Sequence, residues 1–172
     1  MDTQNLDANT LKAELVEAFA DIPYPGDDLL SFSSDGGEVG KVVAIFSGKN
    51  RSDWIERPLQ LLCDGGYAQN IFFLSPPAYR YFLQFFLLVC IADEGDADCI
   101  PGQVFQTLSR PEDPRDKNNY EERVGRLSSK QLRVVVKTLK FVLMRDGNAS
   151  TRKEIAAAMS SLEELIAGKV AQ

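Results

Sequence analysis

An all-α fold is what this sequence predicts: one domain spanning residues 1–172, a bundle of six to seven helices around a central apolar helix. Three observations lead there. Leu132, Val135, Val136, Leu139, Val142 and Leu143 recur at i, i+3, i+4, i+7, and weaker versions of that spacing run through most of the chain. The segment from Pro76 to Ala92, PPAYRYFLQFFLLVCIA, is apolar around most of its circumference, which suits a helix covered on all sides by others. The brief apolar run Ile71 to Leu74 could form a short strand but has no evident partner strand. A chain of 172 residues has room for one sizeable core and hardly for two.

Leu11, Leu15, Ala18 and Phe19 give the first helix its apolar face, with Asn9 or Thr10 as N-cap, and it stops before Pro23. DIPYPGDD follows as a turn, since proline presets φ and glycine accepts positive φ. Val39, Val42, Val43 and Phe46 form a second stripe, closed by Gly48 at a C′ position. Pro58 opens a short helix, LQLLC, that ends at Gly65-Gly66. Ser75-Pro76 reads as N-cap and first turn of the apolar helix, on which Arg80 and Gln84 mark the one polar strip. IPGQVFQTLS is one short helix, and RPEDPRDKNN is expected as a long polar loop. Ser128 with Gln131 forms a capping box before the strongest helix, which Gly147 stops. Thr151 with Glu154 is expected to cap the last helix, whose apolar face is Ile155, Met159, Leu162, Leu165 and Ile166 and whose end is Gly168.

Composition excludes more than it names. Without a single histidine, Ser-His-Asp and Cys-His catalysis, histidine metal sites and the usual near-neutral proton shuttle are out; carboxylate chemistry, with Asp21, Asp27 and Asp28 or with magnesium, is the one enzymatic alternative left, but nothing sets those carboxylates face to face and no catalytic residues are expected. The net charge of −6 argues against a nucleic-acid partner, because duplex binding needs lysine and arginine to displace counterions. That charge is unevenly spread: residues 1–100 hold 6 Lys+Arg and 16 Asp+Glu, residues 101–172 hold 13 and 9, so the halves can attract one another. The longest apolar stretch, Tyr81 to Ala92, is shorter than the roughly twenty residues a membrane span needs. Cys63, Cys90 and Cys99 are an odd set without CxxC spacing, consistent with free thiols in a reducing cytoplasm, and the start MDTQNLDANT has no signal-peptide pattern.

Several clusters could carry chemistry or contacts. SGKN at 47–50 has the Gly-Lys of a phosphate loop, but Gly40 lies too far from Gly48 and Asn50 replaces the magnesium-binding hydroxyl, so a helix end followed by a loop is the simpler reading. Asp93, Glu94, Asp96 and Asp98 offer hard oxygen ligands, yet an EF-hand begun at Asp96 meets Ile100 at its third ligand position. No metal or other cofactor is therefore expected, and the run reads as a solvated helix exit or a contact for a basic partner. Asp27 and Asp28 lie at the YPG turn in turn or cap roles, where their side chains also reach solvent. Trp54, the only tryptophan, is a core or lid aromatic, or an interface anchor. Lys130, Arg133, Lys137 and Lys140, extended by Arg123 and Arg126, form a basic row that is either a binding face or a solvated helix face neutralised by the acidic N-terminal part.

Three segments taken together, EAFADIPYPGDD, FSGKNRSDW and FLSPPAYRYFLQFFLL, resemble a bacterial family of unknown function. Its members carry AF…YPGD, a GK…W element and FL-[ST]-P-x-A-[FY]-R-Y-[YF]-L. Pro76, Ala78, Arg80, Tyr81 and Leu83 match the third and most specific motif, while Gln84 stands where that family usually has proline, which implies a less kinked helix. The resemblance covers about residues 14–90 and implies a bacterial cytoplasmic protein with no established activity.

The expectation that follows is a binding protein without catalytic machinery. One form is an immunity protein that occludes a cognate bacterial toxin, such as a nuclease, through Asp27, Asp28, Trp54, Asp93, Glu94, Asp96 and Asp98. The alternative is a cytosolic interaction or regulatory module with a non-toxin protein partner. The physical basis is the same in both: clustered carboxylates steer toward and cover a basic surface.

Overall fold

The computed structural model describes residues 7–32, 37–63, 68–92, 99–145 and 148–170, and within them the fold is all-α. The helices are α1 (Ala8–Phe19), α2 (Glu38–Phe46), α3 (Arg51–Trp54), α4 (Pro58–Cys63), α5 (Pro76–Ala92), α6 (Ile100–Leu108), α7 (Pro114–Tyr120), α8 (Ser129–Arg145) and α9 (Ala149–Val170). Nine helices among the described residues exceed the six to seven expected, because α3 and α7 are too short to show an apolar period.

Burial follows the apolar pattern. Thirteen of the 17 residues of α5 are buried, and the helix packs against α1, α4, α6 and α8. Phe82 stacks on Phe46 at 4.5 Å and on Tyr81 at 4.9 Å between ring centroids, so an aromatic cluster ties α2 to α5. α8 presents Leu132, Val135, Leu139 and Val142 inward and packs on α1 and α9, and α9 in turn packs on α6.

The ends of the helices show which caps win. Asp7, not Asn9 or Thr10, caps α1: its carboxylate accepts the Thr10 amide at 3.0 Å and complements the helix dipole. Ser75 caps α5 as expected, its Oγ accepting the Ala78 amide at 3.4 Å. The Ser128–Gln131 capping box forms in both directions, at 3.2 and 2.8 Å. At α9 the expected Thr151–Glu154 box does not form. Asn148 takes the role, accepting the Ser150 amide at 2.9 Å, which starts the helix earlier. Nor does Gly168 end α9, which runs to Val170; one glycine in an exposed helix disfavours it by only about 1 kcal/mol.

Two further expectations change. Residues 110–119 are not one long loop, because Asp113 and Pro114 act as N-cap and N1 of α7, and prolines that read as breakers here open a helix. Ile71 to Leu74 forms no strand: Ala68–Phe73 is a 3₁₀ turn, and Leu74 makes a lone antiparallel bridge with Ser31. Between α7 and α8, Glu121–Gly125 is a π-helical turn. No helix among the described residues is long and apolar enough to cross a membrane.

Candidate functional site

The segments EAFADIPYPGDD, FSGKNRSDW and FLSPPAYRYFLQFFLL meet at one place. The YPGD turn supplies Tyr24 and Asp27, with Gly26 at φ 87°, a conformation that glycine adopts without strain. The end of α2 supplies Ser47 and Gly48, the latter at φ 66°. The Gly48 amide donates to the Tyr24 hydroxyl at 2.9 Å and to Asp27 Oδ1 at 3.0 Å, and the Tyr24 phenol donates to Asp27 through a short hydrogen bond. Hydrogen bonds from Ser47, Tyr24 and the Gly48 amide hold the Asp27 carboxyl below the ordinary carboxylate range. Burial, then the Asp27 carboxylate, pushes the Tyr24 phenol up to about 12, so it stays a donor. The Gly-Lys pair of SGKN thus closes a turn and is no phosphate loop.

Arg51 joins this turn to α1 and α5. Its amide donates to the Tyr81 hydroxyl at 2.6 Å and its Nε to Gln84 Oε1 at 3.1 Å. Its Nη1 reaches the Ala20 carbonyl at 2.8 Å, and its Nη2 reaches those of Phe19 and Ile22 at 2.8 and 2.9 Å. A helix C-terminus leaves carbonyls without partners and carries partial negative charge, so a guanidinium satisfies both needs of α1. Gln84 is fully buried because Arg51 takes its carbonyl while its Nε2 donates to the Tyr81 carbonyl at 2.9 Å. Tyr24, Arg51, Tyr81 and Gln84 are each bonded to neighbours within the chain, so the junction works as a clasp.

The side chains that the sequence marked for a partner lie partly beside it. Asp28 is exposed on the turn, and Asp27, also exposed, keeps its carboxylate at the surface while bonded within the clasp. Directly after them come two exposed apolar side chains that the acidity of the segment concealed, Leu29 at 53% and Phe32 at 59% exposure. Leu29 flanks a short hydrogen bond from Ser75 to its own carbonyl, so its backbone is fixed while its side chain projects. Trp54 is half-buried, with Lys49 Nζ at 4.3 Å and the Arg57 guanidinium at 4.6 Å from its ring, so it already meets two cations of its own chain. Asp93, Glu94, Asp96 and Asp98 lie outside the described residues.

The basic row divides in the structure. Lys130 pairs with Glu17 at 2.7 Å, Lys137 with Glu14 at 2.6 Å and Lys140 with Glu163 at 3.7 Å. Neutralisation by the acidic N-terminal part therefore holds for Lys130 and Lys137, which join the acidic part of the chain to its basic part, whereas Lys140 pairs within the basic part. Arg126 pairs with Glu122 at 2.7 Å. Arg123 leaves the row altogether, turning inward to the Phe72 and Leu74 carbonyls. Cys90 and Cys99 hold free thiols, and burial pushes the Cys90 thiol up to about 12. Among the described residues no group of three or more histidine, cysteine, aspartate or glutamate side chains is placed to hold a metal ion.

No family model, no curated protein and no solved structure matches the chain.

Proposed function

We propose that the chain is a protein-binding module of the immunity type, which neutralises a cognate bacterial toxin by covering its working surface. The observation that carries this reading is the surface at residues 27–32, where exposed Leu29 and Phe32 stand next to the carboxylates of Asp27 and Asp28. An apolar anchor supplies affinity when it enters a pocket, and flanking carboxylates speed association with a basic surface. A nuclease cleft is such a surface, positively charged because it must attract phosphates. The clasp behind the patch holds it in one conformation before binding, which lowers the ordering cost of association.

The test begins with co-expression of the untagged product of the neighbouring gene and measurement of its activity with and without this protein. Binding with loss of that product's toxicity is the expected result. Phe32→Ala should weaken the complex about tenfold or more, and Asp28→Ala should mainly slow association and reduce its salt dependence. A neighbour that binds but is not toxic would move the reading to a regulatory module. If neither Phe32→Ala nor Asp28→Ala changes affinity or its salt slope, the patch is not the binding surface, and the helix face at Arg133 and Lys137 becomes the candidate.

A further inference from the structure

The patch at residues 27–32 has two ends, and they differ in charge. The segment crosses the start of α5, where the Ser75 amide donates to the Leu30 carbonyl at 3.0 Å. Successive residues of a helix are turned by about 100°, so Tyr81 and Phe82 point nearly opposite to Tyr79 and Arg80. Tyr24 packs on the first pair, at 5.4 and 6.3 Å between ring centroids, and holds the Asp27 end. Phe32 marks the other end: the Arg123 guanidinium lies 5.1 Å from its ring and 5.4 Å from that of Tyr79. The exposed side chains of Leu29 and Phe32 thus run from the clasp toward the π-helical turn.

At the clasp end the charge is negative. Asp27 takes its hydrogen bonds from Tyr24, Ser47 and the Gly48 amide, all neutral, and no cation of the described residues pairs with it or with Asp28. At the far end the charge is positive. Arg80 donates to the Glu122 carbonyl at 3.1 Å and meets no carboxylate of the described residues at ion-pair distance, because the Glu122 carboxylate is taken by Arg126. With Arg123 against Phe32, three guanidiniums stand there against two carboxylates, those of Glu122 and of Glu121, which turns to Gly125. The groove lined by Arg110, Glu112 and Asp116 opens elsewhere, and Phe32 has no part in its wall.

An apolar centre between a negative and a positive end complements itself when turned by half a revolution. We infer that this patch docks on the same patch of a second copy of this chain. A two-fold axis through the centre sets Leu29 and Phe32 against their counterparts and brings Asp27 and Asp28 of each copy to Arg80 and Arg126 of the other. Two apolar anchors per copy make a small contact, so the dimer is weak and forms at high protein concentration. The inference uses the surface on which the immunity reading rests but does not depend on that reading. A toxin that covers the patch would displace the second copy, and self-association is measured with no partner present.

The full-length protein is sedimented alone at concentrations from about 10 µM to about 1 mM, with reductant present because Cys99 is exposed. Its mean mass should rise toward that of a dimer and stop there, and added salt should weaken the association. Phe32→Ala should weaken it about tenfold or more. Asp28→Arg and Arg126→Asp should each stay monomeric, since each sets like charges together at both ends of the pair. Mixed in equal amounts the two variants should form a heterodimer, because every one of those contacts then joins opposite charges. Both positions are exposed, and circular dichroism checks that the variants fold. The inference is overturned if the wild-type protein is still monomeric at about 1 mM, or if its mass grows past the dimer, as a head-to-tail contact would require. It is equally overturned if either charge variant associates as the wild type does, or if mixing the two restores nothing. Any of these results leaves the immunity reading standing, and a neighbour that fails to bind leaves the dimer standing.

Discussion

Arg51 and Arg123 each leave the solvent to meet backbone carbonyls, yet they end in opposite conditions. Arg51 uses Nε, Nη1 and Nη2 on Gln84 and three carbonyls at the end of α1. Arg123 uses Nη2 on two carbonyls, keeps an unpartnered Nε and sits deeper, where burial pulls its pKa down from the ordinary arginine value. A guanidinium whose donors are matched is a structural fastener. One that is buried with an unpartnered Nε keeps part of its desolvation cost, offset by the Phe32 and Tyr79 rings beside it.

The largest effect is expected where the clasp rests on the core. Phe82 is fully buried against Phe46, Tyr81 and Tyr24, so Phe82→Asp would place an unpaired carboxylate among aromatic rings. No cooperative unfolding transition should survive, since domain stability is only about 5–15 kcal/mol. Soluble, cooperative folding of that variant, followed by circular dichroism in urea, would break the picture of α5 as core. Next comes the direct contrast. Arg51→Met should cost about 3 kcal/mol, because it strands carbonyls at the end of α1 and the Gln84 amide. Arg123→Met should cost about 1 kcal/mol, because the lost carbonyl contacts are offset by removal of a buried charge that no carboxylate of the described residues pairs. Equal losses in denaturant melts would erase the distinction between the two arginines.

A smaller effect sharpens the clasp through pH. The folded Asp27 carboxyl lies below its ordinary value, so its contribution is present above the unfolded pKa and is lost as pH falls through the folded one. Stability should therefore drop below about pH 4 more in the wild type than in Asp27→Asn. Asp7, Glu17 and Asp113 are lowered as well but titrate in both proteins, so the difference between the two melting curves isolates Asp27. A parallel pair of curves would remove Asp27 from the clasp. The smallest effect belongs to the exposed seam between α1 and α8. Lys137→Ala should cost about 0.5 kcal/mol or less and lose even that at high salt, because both partners of the Glu14 pair face solvent. A larger loss would mean that the seam fastens the fold as the clasp does.

Much of the fold was legible because it depends on local signals. The apolar period of α8, the near-continuous apolar surface of α5 and the Ser75 and Ser128 caps are properties of neighbouring residues, and they appear where the pattern put them. The short helices were hidden for the same reason: α7 has no apolar period, and its Asp-Pro start looks like a loop until the cap geometry is seen. At the candidate site, Asp27 and Asp28 were marked by charge, whereas Leu29 and Phe32 were passed over because an exposed apolar residue is indistinguishable in sequence from a buried one.

By itself, then, the sequence determined the helical class, the absence of histidine chemistry and the attraction between an acidic front and a basic end. Only the tertiary structure decided which charges meet. Lys130 and Glu17 are far apart in the chain and 2.7 Å apart in space, and Arg51 finds Gln84 across 33 positions. Arg123, written in the same basic row as Lys130, was taken inward by the π-helical turn that carries it. The reason is range: helix propensity and caps act over a few residues, while the fate of a charge depends on whichever segment the packed core brings against it.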